Sequence, residues 1–406
     1  MLRNLIIALL VLGTTGVSAQ SRMSSAETSY LYDMDHEFLV DHQIAASGNS
    51  FKVFLRFRLN SGMVKISDYD LSYDLRASYI DEKLINSGIK LDTSNIVGNG
   101  FREFIYAFEF EKEEDQNILV IQLDNITKNR RYLKDIPLST KNSTKFQPFL
   151  IYDSETDLPV FEPYISTDAK IKIRNVFGES ASFSMSGREN NMPIAIPPFD
   201  ADSKNELVEI AIDTVYGVKA DEEFQFSSPG FYQVSSNDAA EQVMGVLVTD
   251  GYFPYYSQYS DMIMPLIYIS TNQEFNVLLA ADDQKSKFES FVLNTISSNV
   301  NIAQDFIKYY YRRLRKSAQL FSTSAEGWKT DRGMVYQVYG DPAQVFRNES
   351  TELWVYSMES GGRTRFIFDI VEGPAGTTEY KLIRGKKYRE GWMNAVTRWR
   401  SGRIIE

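Results

Sequence analysis

From about Tyr30 to Asn125 the chain alternates apolar and polar positions with period two, and clusters of Gly, Asn, Ser and Asp break the runs. Phe51-Lys52-Val53-Phe54-Leu55-Arg56-Phe57-Arg58-Leu59 is the clearest run, with one apolar face. Similar runs cover Tyr69 to Ile80, Phe101 to Phe110 and Ile118 to Leu123. Short strands at this spacing predict a β-sandwich of immunoglobulin-like size. The polar, basic segment Asn129 to Lys145, with Pro137 inside it, reads as a linker.

A second β-rich stretch follows, with strands expected at Phe149 to Tyr152, Ala169 to Val176, Ala181 to Ser186, Glu206 to Asp213, Gly230 to Ser235 and Met244 to Thr249. Pro193, Pro197 and Pro198 would spoil a central strand, so Met192 to Phe199 is expected as a loop or an edge. Tyr252 to Tyr259 is dense in aromatics. It reads as a linker packed between domains, the alternative being a sugar- or protein-binding groove. Beyond Thr271 the period turns helical: Gln273 to Leu279, Gln284 to Leu293 and Ala303 to Phe321, the last with Phe306, Tyr309, Tyr310, Leu314 and Ala318 spaced for one face.

Then comes Ser324-Ala325-Glu326-Gly327-Trp328-Lys329-Thr330-Asp331-Arg332-Gly333, running through Met334-Val335-Tyr336 to the turn Gly340-Asp341-Pro342. The local pattern predicts a strand between two tight turns. Glu352 to Tyr356, Arg365 to Asp369 and Glu379 to Ile383 alternate as strands of an antiparallel meander, and Tyr388 to Trp399 returns to helix with Trp392, Val396 and Trp399 on one side. The predicted fold class is mainly β with a C-terminal α+β domain. Its divisions are a leader at 1–19, a sandwich at 20–135, a second β-rich domain at 136–250, a linker at 251–270 and an α+β domain at 271–406.

At Gly327-Trp328-x-Thr330-Asp331 the sequence resembles the GWxTD domain family, which is named for that signature. The resemblance extends through Arg332-Gly333, Tyr339-Gly340-Asp341-Pro342, Leu353-Trp354-Val355-Tyr356 and Phe366-Ile367-Phe368, and it begins near Thr271. It implies an exported, envelope-associated bacterial protein with a β-rich N-terminal region, and it brings no activity with it. Physically, Gly327 permits a positive φ after the helix, Trp328 offers a large anchor, and Thr330 and Asp331 can accept backbone N–H bonds. Burial of Trp328 and Asp331 would mark a structural role; an exposed pair, with Arg332, would mark recognition of a partner. The candidate residues are Gly327, Trp328, Thr330, Asp331, Arg332, Gly340, Asp341, Pro342 and Trp354.

Residues 1–19 carry Arg3, then the apolar run Leu5 to Leu12, then Val17-Ser18-Ala19, the pattern of a secretory signal peptide cleaved after Ala19. No later stretch reaches 18 uninterrupted apolar residues, so no transmembrane segment is expected in the mature chain. The chain has no cysteine, which excludes thiol nucleophiles, cysteine-ligated metals and a lipidated cysteine anchor. An exported chain of 406 residues without disulfides suits the Gram-negative periplasm.

Lys and Arg number 43 against 54 Asp and Glu, a net charge of −11 that makes nucleic acid an unfavoured partner. The charge is uneven: residues 303–406 carry 18 basic against 12 acidic side chains. His36 and His42 are the only histidines; their spacing fails the zinc helix template, and a Ser-His-Asp triad is disfavoured because no Gly-x-Ser-x-Gly elbow precedes a helix. Asp282-Asp283 and Glu111 to Asp115 read as solvated faces, and Gly98-Asn99-Gly100 as an ordinary turn. No cofactor is expected. The expected function is that of a non-enzymatic envelope protein that scaffolds or joins a periplasmic or outer-membrane assembly through protein partners. The alternative is a carbohydrate- or peptidoglycan-directed binding protein or hydrolase.

Overall fold

The computed structural model describes residues 22–62, 64–80, 86–138, 146–178, 182–188, 192–200, 214–237, 242–357 and 362–403. Residues 1–19, expected as a leader, and the strand expected at Glu206 to Asp213 lie outside them.

Eight strands form the first module: β1 (Phe38–Ser47), β2 (Ser50–Leu59), β3 (Tyr69–Arg76), β4 (Asn86–Leu91), β5 (Ile96–Gly100), β6 (Glu103–Glu111), β7 (Ile118–Asn125) and β8 (Arg130–Pro137). They make two four-stranded sheets, ordered β1-β2-β6-β5 and β4-β3-β7-β8. Period-two alternation turns Val53, Leu55 and Phe57 of β2 toward Leu119, Ile121 and Leu123 of β7, and these side chains share one core, as a sandwich requires. The other face of β2 is not left to water. Phe54, with Ala45 and Ile105, packs on Leu150, Tyr152 and Phe161, so the strand is buried on both sides.

Two expectations are corrected here. The supposed linker contains β8, which pairs with β7 along its whole length and ends on Pro137. β8 is an edge strand, where a missing N–H is tolerated, and its inward Tyr132 and Ile136 supply the apolar face that its outward arginines hide. Gly98-Asn99-Gly100 is likewise no turn: it lies in β5, and the hairpin tip is Phe101-Arg102, with Arg102 at φ 64°.

The second module comprises β9 (Phe149–Asp153), β10 (Ile165–Ser166), β11 (Ile171–Asn175), β12 (Ser182–Arg188), β13 (Thr214–Lys219), β14 (Gly230–Ser236) and β15 (Val243–Thr249). A five-stranded sheet, β10-β15-β14-β12-β13, shares its core with the β9–β11 pair through Phe149, Ile173, Phe183, Val234 and Val248. β13 was not foreseen. Met192 to Phe199 runs as a loop, and it docks on the C-terminal region: Ala195 N–H donates to Lys329 O at 2.8 Å and Gly385 N–H to Pro198 O at 2.9 Å.

The C-terminal region holds α1 (Tyr259–Ile263), α2 (Asn272–Leu279), α3 (Gln284–Phe291), α4 (Val300–Phe321), α5 (Asp331–Tyr339), the sheet β16 (Gln344–Arg347), β17 (Thr351–Ser357), β18 (Arg363–Glu372) and β19 (Thr378–Leu382), and α6 (Arg389–Arg400). Asn299 caps α4 through bonds from Asn301 and Ile302 N–H, and Ala303, Phe306, Tyr310, Leu314 and Ala318 form its buried stripe. The meander β16-β17-β18-β19 appears in the expected order. The chain is thus mainly β, with its helices gathered after residue 259. No helix among the described residues is long and apolar enough to cross a membrane.

The strand expected across Met334-Val335-Tyr336 is a helix. Thr330 Oγ1 accepts the Gly333 N–H, which starts α5, and every residue from Asp331 to Tyr339 is buried. A helix covered on all sides has no polar stripe, so period three to four is invisible and the β-branched and aromatic residues imitate a strand.

Packing in the first sandwich makes a direct prediction. Ile121→Ala, in the fully buried layer, lowers stability by about 2–5 kcal/mol. Ile126→Ser, at an exposed turn, stays within about 0.5 kcal/mol. Urea unfolding followed by circular dichroism measures both, and equal losses would contradict the packing.

Candidate functional site

The signature occupies the corner where α4 ends and α5 begins. Ser322 Oγ donates to Ala318 O at 2.7 Å and accepts Gly327 N–H at 2.9 Å, which folds the chain back on the helix. Gly327 does not use a positive φ, contrary to the sequence-based expectation. Its reason is space: a Cβ there would stand 2.0 Å from Ser317 O, and one on Gly333 would stand 1.8 Å from Gly327 O. Two glycines therefore bring α4, a short 3₁₀ turn (Gly327–Lys329) and α5 into backbone contact. Gly340 is where a left-handed conformation is used, at φ 87°, and Tyr356 Oη donates to its carbonyl at 2.9 Å.

Trp328 is 2% exposed. Its Nε1–H donates to Glu326 Oε2 at 2.7 Å, and its carbonyl accepts Tyr268 Oη–H at 2.8 Å. Glu326 also takes Lys329 Nζ at 2.8 Å and Tyr256 Oη–H at 3.3 Å, so one carboxylate ties the aromatic segment to the signature. Thr330 Oγ1 donates to Gly327 O at 2.7 Å while capping α5. Asp331, 4% exposed, accepts the Leu382 N–H at 2.7 Å and pairs with Arg384, whose Nη2 in turn reaches Ile196 O at 3.1 Å. Its N–H acceptance is thus not local; it fastens α5 to β19 and to the Met192 to Phe199 loop.

Arg332 opens a larger network. Its guanidinium lies 3.4 Å from the centroid of Tyr380 and donates to Tyr32 Oη at 3.2 Å and weakly to Glu352 Oε1 at 3.4 Å. Glu352, 0% exposed, accepts Tyr32 Oη–H at 2.7 Å, Arg347 Nε–H at 2.9 Å and Trp354 Nε1–H at 2.8 Å. Arg347 continues to Asp135 Oδ2 on β8 at 3.1 Å, and Tyr79 Oη–H donates to the same oxygen at 2.6 Å. The network therefore joins α5 and the C-terminal sheet to the first sandwich and to the N-terminal segment. That segment is itself bound to β16, with Thr28 N–H on Val345 O and Val345 N–H on Glu27 Oε1, both at 3.0 Å. Burial alone would push the Glu352 carboxyl up, but Arg347 and Arg332 outweigh it and hold it below the usual range.

Trp354 is fully buried in the core that contains Trp328, and Pro342 is buried beside the exposed Asp341, which accepts Tyr336 Oη–H. His36 packs edge-on against Phe38 with ring centroids 4.6 Å apart, whereas His42 lines a separate groove. Among the described residues no three His, Asp or Glu side chains gather as a metal site. Sequence reasoning missed Glu326, Arg347, Glu352, Tyr32 and Asp135. A signal existed for one of them: in β17 the alternation puts Glu352 on the same inward face as Trp354, and a carboxylate in that position calls for a buried cation.

Two predictions follow from this geometry. Gly327→Ala destabilises the chain by at least about 2 kcal/mol, because the contact is backbone and cannot move aside. Gly217→Ala, whose nearest neighbour would be 3.8 Å away, stays within about 0.5 kcal/mol and serves as the control in the same urea titration. Because the folded-state pKa of Glu352 is depressed, its contribution to stability is present above the ordinary glutamate range and is lost as pH falls through the lower folded value. Glu352→Gln leaves Arg332 without a carboxylate and Arg347 with Asp135 alone, and costs about 3–5 kcal/mol at pH 7. The gap to wild type narrows toward pH 3; parallel curves of urea midpoint against pH would contradict the linkage.

None of the curated proteins matches the chain. Residues 230–401 match the family model of the GWxTD domain, which therefore begins at β14, well before Thr271. The chain carries a GWxTD domain, and the signature that names the domain is the corner through which its helices, its sheet and the N-terminal β-module are joined.

Proposed function

We propose that this protein is a non-enzymatic, exported component of a Gram-negative cell envelope that serves as a scaffold or interaction partner in a periplasmic or outer-membrane assembly. The observation that carries this reading is the fate of the signature. Its tryptophan, aspartate and arginine are spent on internal bonds that fix β-modules to the α+β domain, and they present no reacting group to a substrate. Interaction-type modules held rigidly by a buried charge network suit a scaffold, and the leader at residues 1–19 supports export. The surface that meets a partner then lies away from the signature.

The alternative, a carbohydrate- or peptidoglycan-directed protein, retains one supporting observation. In the aromatic segment Tyr256 is turned onto Glu326, whereas Tyr252 and Tyr255 are 71% and 64% exposed. The segment divides between packing and open aromatic surface.

Affinity isolation of the full-length exported protein from cross-linked native envelopes tests the assembly reading. A defined outer-membrane complex is expected to be recovered with it. Recovery of the chain alone from the soluble periplasm would overturn the reading, as would turnover of an envelope substrate that a single carboxylate substitution abolishes.

A further inference from the structure

A recess of about 990 Å³, counting the solvent at its mouth, is lined by His42 to Ile44 of β1, Val243 to Leu247 of β15 and the turn Ala375 to Thr377. Both strands stand at the margin of their sheets. β1 is outermost in β1-β2-β6-β5. Beyond β15 comes only the two-residue β10, which pairs with Val248 and Thr249, so among the described residues no strand lies beside Val243 to Leu247 on that side.

Hydrogen-bonded residues alternate along an antiparallel strand, which fixes the direction of each backbone group. Ser236 N–H donates to Gln242 O at 3.3 Å, so Met244 and Val246 are the residues that bond β14, and Val243 and Gly245 turn their N–H and C=O outward. The bond from Thr167 N–H to Thr249 O at 2.9 Å, on the outer side, has the same phase. On β1 the bond from Asn60 N–H to Glu37 O turns the even-numbered residues outward, and Ala46 N–H accordingly meets Gln147 O at 2.9 Å. Ile44, two residues earlier, presents its backbone on the same edge and lines the recess. Among the described residues no backbone hydrogen bond reaches the outward groups of Ile44, Val243 or Gly245.

The side chains around these edges give no ionic handle. Glu162, the formally charged residue of the lining, is paired with Arg56 at 2.6 Å, and the Gln43 amide donates to Val160 O at 2.7 Å. Phe146, Val160 and Met244 add apolar surface. From this arrangement we infer that the recess takes an extended peptide segment of a partner protein, apolar at alternate positions, as an added strand on the free edge of β15. Backbone pairing holds the segment, and the side chains on one of its faces meet the apolar lining. At about 3.4 Å per residue, Val243 to Leu247 offer an edge of about 17 Å. Its position between two β-modules shields that edge from a second sheet, the usual hazard of an unpaired strand. The site deepens the interaction-partner reading and rests on it for the choice of a protein segment as occupant.

Fluorescence anisotropy on the purified full-length mature chain tests it. The probe is a labelled nonapeptide that alternates valine and threonine between terminal lysines, together with two forms N-methylated on alternate amides, one for each edge of the peptide strand. The parent peptide is expected to bind saturably, and methylation on the edge that meets β15 to weaken it about tenfold or more. Val243→Pro removes an outward N–H at the first residue of β15, where a proline is tolerated. It is expected to weaken binding to the same degree, while Val243→Thr stays within about threefold of wild type. Should the proline variant melt early, the methylated peptides on the wild-type chain still decide. No saturable binding, or affinity indifferent to methylation of both edges, overturns the site. Self-association of the chain that Val243→Pro abolishes overturns it in favour of a second copy. Absence of peptide binding while a defined complex is still recovered from cross-linked envelopes removes this site and leaves the assembly reading standing.

Discussion

Glu352 is a carboxylate without access to water, and the joined structure depends on how that charge is met. Its cost in a low-dielectric interior is large unless cations and donors surround it. Arg347, Arg332, Tyr32 and Trp354 do so, and each arrives from a different place: β16, α5, the N-terminal segment and β17 itself. The charge is therefore a condition of assembly. Positions that satisfy it must be correct together, and the arrangement specifies how the helical corner, the sheet and the sandwich meet.

The glycines of the signature set the second constraint. Gly327 and Gly333 remove the side-chain layer that ordinarily separates packed elements, so the Gly327–Lys329 turn meets α4 on one side and α5 on the other through backbone. Arg332 then projects to the network from a helix that has almost no freedom to slide, while Asp331, its neighbour, holds the opposite side to β19 and Arg384. Adjacent residues of one short motif thus serve two separate anchor points.

Much of the architecture was legible in the sequence where burial is one-sided. β2 was legible from its one apolar face although its other face is buried as well, whereas the alternation in β6, the stripe on α4 and the C-terminal meander place apolar side chains mainly against one neighbour and polar ones toward water, which is the condition under which periodicity speaks. It fell silent for α5, buried on every face, and it misled at β8, whose outward arginines and terminal proline hid an edge strand. The signature was recognisable as a motif, but its working partners were not. Tyr32 and Glu352 are 320 residues apart in the chain, Arg347 and Asp135 are 212 apart, and no local pattern reports a pairing of that kind.

The N-terminal strap has a consequence for what counts as a folding unit. Recognition by similarity draws the GWxTD domain from residue 230 onward, yet the core of that domain includes Tyr32 and Ala195, and its buried carboxylate is completed by a phenol contributed before the first strand of the sandwich. A segment excised at the family boundary would retain the arginines and Glu352 and lose Tyr32, Ala195 and the Asp135 carboxylate that complete the surroundings of that cluster. Evolutionary module and autonomous folding module therefore do not coincide here. In a chain made from its N-terminus, Tyr32 emerges long before the pocket that receives it exists, so closure of the C-terminal core requires a contact across 320 residues rather than a local event.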